Sequence, residues 1–172
     1  MKRKVSVRLP SFEYFIKGKN PKLLIHSGTH GDEFEVIDKV KKCVLKYEDK
    51  LPDFVFVPVV SPSAIKNKTR LNGNGLDMNR VFFTDSKELE VIENIKIIEG
   101  FNFGLFVTFH EDPFLDEYYI YDSGTNKNAD EKVKKHNQKL KSLGVKLLNG
   151  VDDPDDSSLG HEFKEGYKRL IE

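Results

Sequence analysis

The stretch KLLIHSGTHGDE, residues 22–33, decides the fold. Its beginning, KLLIHSG over residues 22–28, is a short apolar run closing on Ser27-Gly28, the pattern of a buried strand entering a turn. From Glu33 onward, Val36, Ile37, Val40, Val44 and Leu45 recur at helical spacing with Lys and Asp between them, which predicts an amphipathic helix. Strand, tight turn and helix in this order open an α/β unit.

The rest of the chain repeats that grammar. Pro52 separates the helix from DFVFVPVV (53–60), a β-branched second strand. SPSAIKNKTRLNGNGLDMNRVFF (61–83) is rich in Pro, Asn and Gly, predicting one long irregular loop, and loops of that length are usually functional or disordered. Residues 86–99, SKELEVIENIKIIE, predict a helix with Ser86 as N-cap and Leu89, Ile92, Ile95 and Ile98 as its apolar face. FGLFVTF (103–109) predicts a third strand that delivers His110 at its end. EYYIYD (117–122) and VKLLNGV (145–151) predict further strands, and residues 130–143 a charged helix ending near Gly144. VDDPDDSS (151–158) predicts an acidic turn, and the last stretch, from Ser157, a final helix. Strands alternating with helices predict a three-layer α/β sandwich around a mixed, mostly parallel sheet, with ligands beyond the C-terminal ends of the central strands.

Composition narrows the partners. The chain has 172 residues and is expected to form one domain, residues 1–172. Lys plus Arg number 28 against 28 Asp plus Glu, so the basic excess that drives binding to nucleic acid or an anionic membrane is missing. A small molecule or peptide is the expected partner. The N-terminal MKRKVSVRLPSFEYF lacks the apolar run of a secretory signal or membrane span, which predicts a cytoplasmic protein. Cys43 stands alone in a helical pattern, so disulfides and thiolate-bound structural zinc are excluded and any metal must use nitrogen and oxygen.

His30 and Glu33 are three residues apart, so a single turn at the start of a helix lets both point to one side. A third ligand from another strand, with His110 the leading candidate, completes a set of two imidazoles and one carboxylate and leaves a fourth position open, as hydrolytic zinc needs. Bound there, zinc lowers the pKa of water and polarises a carbonyl oxygen. His26 lies inside a strand, and His136 and His161 on charged helical segments; these read as structural or solvated side chains. Glu111 and Asp112 follow His110 and read equally as ligand-orienting acids or turn formers.

HSGTHGDE resembles the Gly-x-His-Gly-x-Glu pattern of the M14-type zinc carboxypeptidase superfamily, and in particular its succinylglutamate desuccinylase/aspartoacylase branch. Thr69-Arg70, LDMNRVF with Asn79-Arg80, and FHED with His110 follow in the expected order, so the resemblance spans residues 22–121. It implies that His30, Glu33 and His110 hold one Zn2+ ion, that Arg70 faces the substrate carbonyl and stabilises the developing oxyanion, and that Asn79 and Arg80 hold a substrate carboxylate. A guanidinium suits that task because its planar donor fork stays charged at any working pH. The implied activity is hydrolysis of an amide bond in an N-acyl amino acid or at the C-terminal residue of a peptide.

The family's general-base glutamate, carried on a later strand, has no identifiable counterpart. Glu162, Glu165 and Glu172 fall in a charged helical stretch and read as surface residues. The simplest expectation is a truncated or divergent member lacking its C-terminal strand or strands, whose unpaired sheet edge favours homo-oligomers. Two competing readings follow: a noncatalytic zinc-binding module of the same fold, or an α/β domain using the Gly-rich NGNG loop for an anion. The second lacks the Lys-Ser/Thr element of a phosphate loop.

Overall fold

The computed structural model describes residues 1–112, Tyr118 and 129–146. The chain divides into two compact units, one spanning Met1–Glu111 and one lying within Asp112–Glu165.

The first unit is built on a five-stranded sheet: β1 (Lys2–Val5), β2 (Glu13–Lys17), β3 (Leu23–His26), β4 (Phe54–Val57) and β5 (Leu105–Thr108), in the spatial order β1-β2-β4-β3-β5. The three apolar strands anticipated from the sequence form its parallel part, with Ile25 of β3 opposite Phe56 on one side and Val107 on the other. β1 and β2 were not anticipated; they pair antiparallel with each other, and β2 with β4, so the sheet is mixed. Their sequences, KRKV and EYFIK, are exposed or only half-buried, which is why no buried-strand pattern marks them.

Side chains alternating along β3 and β4 supply two cores. Leu23, Ile25, Phe54 and Phe56 pack against Val36, Val40 and Val44 of α1 (Glu35–Lys46). Leu24, Val55 and Val57 face the opposite way, against Val91, Ile95 and Ile98 of α3 (Leu89–Glu99) together with Phe12 and Met78. The sheet therefore lies between helices on both faces, as the three-layer expectation requires. Each such side chain, fully buried, contributes about 1.5–3 kcal/mol.

Several local expectations are corrected. The segment 61–83 is not wholly irregular: it contains α2 (Pro62–Asn67) and a 3-10 turn at Met78–Arg80. Ser61 caps α2 by accepting the Ala64 N–H, Pro62 begins it, and Lys68 ends it in the left-handed conformation at φ 53°. Leu45 is 51% exposed, outside the core face of α1. On α3 the buried residues include Glu90, Val91, Asn94, Ile95 and Ile98, whereas Leu89 and Ile92 are only half-buried. Ser86 does not cap α3; Glu88 occupies that place, its N–H held by the Ser86 hydroxyl at 3.3 Å. Cys43 is on α1, exposed and free.

Within the second unit, α4 (Ala129–Ser142) ends as expected near Gly144, whose φ is 79°. There Tyr118 donates its N–H to the Lys146 carbonyl at 3.0 Å. The remaining positions of the expected strands at 117–122 and 145–151, the acidic turn, the final helix, His161, and Glu162, Glu165 and Glu172 lie outside the described residues. Among the described residues no helix is long and apolar enough to cross a membrane.

Candidate metal centre

The centre is assembled where two parallel strands end side by side. β3 stops at His26 and its neighbour β5 at Thr108, so the turn after one strand meets His110 after the other. That turn is Ser27–Phe34: α1 starts only at Glu35, so His30 and Glu33 project from the connection ahead of the helix and not from its first turn. Two glycines make the turn possible. Gly28 has φ 62°, a conformation that strains any residue with a Cβ. At Gly31 a Cβ would lie 1.8 Å from the Ala64 carbonyl oxygen, and the Gly31 N–H donates to the Thr69 carbonyl at 2.9 Å. The turn that carries His30 and Glu33 is thus pressed directly against α2 and the Arg70 segment.

Glu33 joins the two histidines. Its Oε1 is 2.6 Å from His30 Nδ1 and its Oε2 2.7 Å from His110 Nδ1. His30 is 1% and Glu33 7% exposed, while His110 is exposed, so the cluster opens on one side. The donor atoms of His30, Glu33 and His110 all lie within 4.8 Å of one another, close to the separation that one ion with bonds of about 2.0–2.2 Å spans. Two imidazoles and a carboxylate suit zinc or another borderline divalent ion.

Asp77 completes the arrangement, and its part was not read from the sequence. Its Oδ1 accepts from His30 Nε2 at 3.1 Å, leaving Nδ1 as the nitrogen directed at Glu33. Metal-binding histidines commonly hold their second N–H on such a carboxylate, so a motif already containing Asp77 carried the signal. Burial alone would lower the His30 pKa, but hydrogen bonds to Asp77 and Glu33, with the charge of Glu33, outweigh it and Arg70 and raise it to about 9. Burial likewise opposes ionisation of Glu33, yet the two histidines bring its carboxyl down to about 2. Asp77 is held well below the usual carboxylate range, burial again being outweighed by His30, the Asn79 N–H and Arg70. Without a metal, these groups are poised as mutually neutralising charges.

The other anticipated residues lie around this cluster. Arg70 is exposed and donates from Nε to Asp77 Oδ2 at 3.0 Å. Asn79 and Arg80 are half-buried in the 3-10 turn that Asp77 caps by accepting the Asn79 N–H at 2.9 Å. The Asn79 Oδ1 is buried without a hydrogen-bond partner among the described residues. Glu111 orients Glu33 through its backbone, its N–H lying 3.4 Å from Oε2, while its side chain receives the Glu35 N–H at the start of α1. NGNG is closed on itself: Asn72 Oδ1 accepts the N–H groups of Asn74 and Leu76, a geometry that gives no support to an anion loop. His26 is buried in β3, edge-on to Phe106 at 4.7 Å, a structural position as expected.

A mixed sheet between helices, with its parallel strands ending side by side, is a carboxypeptidase-like α/β fold. Solved structures share it: a carboxypeptidase A candidate from Shewanella denitrificans (TM-score 0.75, 14% identity, 99% of this chain and 52% of the other). A metallo-carboxypeptidase from Burkholderia cenocepacia gives TM-score 0.67 at 14% identity over 91% of this chain and 48% of the other. An aspartoacylase family protein from Mesorhizobium loti gives 0.55 at 19% over 93% and 59%. This chain thus spans about half to three fifths of the length of those proteins. Residues 19–102 match the family model of the succinylglutamate desuccinylase/aspartoacylase catalytic domain, so the resemblance read from the motif holds over that stretch. His110 lies beyond it and is placed by β5. No curated protein matches the sequence.

Proposed function

We propose that this chain carries the metal centre of a zinc-dependent hydrolase that cleaves an amide bond in a small carboxylate-bearing substrate, an N-acyl amino acid or the C-terminal residue of a peptide. The observation that carries this reading is the convergence of His30, Glu33 and His110 from two neighbouring strand ends. A zinc ion held there supplies Lewis acidity and an activated water. The protein's own groups do the rest. Asp77 fixes the His30 ring, and Arg70, anchored through Nε, offers its guanidinium to an oxyanion. Asn79 and Arg80, fixed in the turn behind Asp77, recognise the substrate carboxylate.

The test is elemental analysis of the purified protein and of His30→Ala and His110→Ala variants whose folding has been checked, followed by calorimetric titration with phosphonoacetate, which offers a phosphonate to the metal and a carboxylate to Arg80. Near-stoichiometric zinc lost in both variants, and phosphonoacetate binding weakened in Arg80→Gln, is the expected result. A reconstituted parent without metal, or an Arg80→Gln variant binding as tightly as the parent, overturns the reading.

A further inference from the structure

Glu90 is out of place by composition. It occupies the core-facing side of α3 between Leu89 and Val91 and is 4% exposed, where an apolar side chain would continue the packing. A carboxylate buried there is tolerated only when its oxygens are satisfied. Both are: Oε2 accepts the Ser61 hydroxyl at 2.6 Å and Oε1 the Ser63 N–H at 2.7 Å. These donors are the cap and the first turn of α2, so Glu90 fixes the start of that helix.

The bonds continue outward. The Ser63 hydroxyl accepts the Gly73 N–H at 2.7 Å, and Gly73 approaches so closely that a Cβ there would lie 3.1 Å from Ser63 Cβ. Asn74 is tied to Glu88 at the head of α3 at 2.9 Å. Asn72 then gathers Asn74 and Leu76, the residue before Asp77. The loop between Arg70 and Asp77 is therefore held from α3 by a chain of hydrogen bonds that begins at a buried charge.

We propose that Glu90 is a positioning residue that, through Ser61 and Ser63, sets the loop presenting Arg70 to the substrate's oxyanion. This rests on the function proposed above. An apolar residue in the same place would fill the core; what it could not do is fix the direction of α2 and, through Ser63, of the loop.

The experiment uses the zinc-loaded chain, titrated calorimetrically with phosphonoacetate, alongside zinc stoichiometry and thermal midpoint. Ser63→Ala severs the link to Gly73 while leaving the Ser63 N–H on Glu90, and Glu90→Gln puts an amide where two donors converge. Both variants are expected to bind the probe about tenfold more weakly at unchanged zinc stoichiometry. A lowered thermal midpoint with affinity within about twofold of the parent assigns Glu90 to stability alone and overturns the proposal. Loss of zinc in Ser63→Ala overturns it too, since the effect then lies at the metal. A zinc-loaded parent that does not bind phosphonoacetate removes the proposed function and this inference together.

Discussion

Asp77 holds His30 and Arg70 on separate oxygens: Oδ1 accepts a hydrogen bond from His30 Nε2 at 3.1 Å and Oδ2 one from Arg70 Nε at 3.0 Å. Replacing Asp77 with Asn keeps the shape but removes the charge and one acceptor, which leaves the imidazole less basic and less firmly oriented. Asp77→Asn is expected to weaken zinc binding by about 10–100-fold, measured by competition with a chromogenic chelator. Zinc affinity equal to the parent's assigns Asp77 to loop structure alone.

Gly31 has no room for a side chain. A methyl group there meets the Ala64 carbonyl oxygen at 1.8 Å and the Thr69 oxygen at 2.7 Å, and backbone cannot swing aside as a side chain can. Gly31→Ala is expected to lower stability by about 1–3 kcal/mol in denaturant unfolding and to reduce zinc content, because His30 and Glu33 flank the displaced residue. A variant with parental stability and full zinc shows that the turn is more compliant than its contacts indicate.

His26 makes the metal-free protein sensitive to mild acid. Burial, with the nearby charge of His110, holds its pKa down at about 3 against an ordinary 6.5. Between those values the unfolded chain takes up a proton that the folded chain refuses, so stability falls as pH drops through 6.5. His30, raised to about 9, acts in the opposite sense, but its contribution is complete below 6.5; Glu33, lowered to about 2, begins to lose its own only below 4.5. The interval from pH 6 to 5 therefore isolates His26, and unfolding in excess chelator is expected to show about 1 kcal/mol less stability at pH 5 than at pH 6. His26→Leu should flatten that slope; an equal slope in the variant moves the sensitivity elsewhere.

Much of the fold was legible because β3 and β4 are buried on both faces and, like the half-buried β5, announce themselves as apolar runs, and because α1 is amphipathic over three turns. β1 and β2 were not legible: a strand that pairs antiparallel at the sheet's edge needs no continuous apolar sequence. α2 was hidden in a Pro- and Asn-rich segment although Ser61 and Pro62 are ordinary helix-start residues, because its six residues are too few to show periodicity. His30 and Glu33 could be paired from spacing and His110 from its place after a strand. Glu90 could not, since hydrogen bonds between residues distant in sequence leave no local pattern. The apolar face expected for α3 at Leu89, Ile92, Ile95 and Ile98 missed two buried polar residues for the same reason: Glu90 and Asn94 are held by partners outside the helix.

With an ion at His30 and an anion at Arg70, the two-sided attachment of Asp77 would make the two mutually dependent. A single carboxylate cannot strengthen its hold on the His30 ring without altering the charge that Arg70 feels, so a change at the ring is felt at the guanidinium across one side chain. Linkage is reciprocal: whatever factor an ion at His30 would contribute to capture of an anion at Arg70, the captured anion would return to retention of the ion.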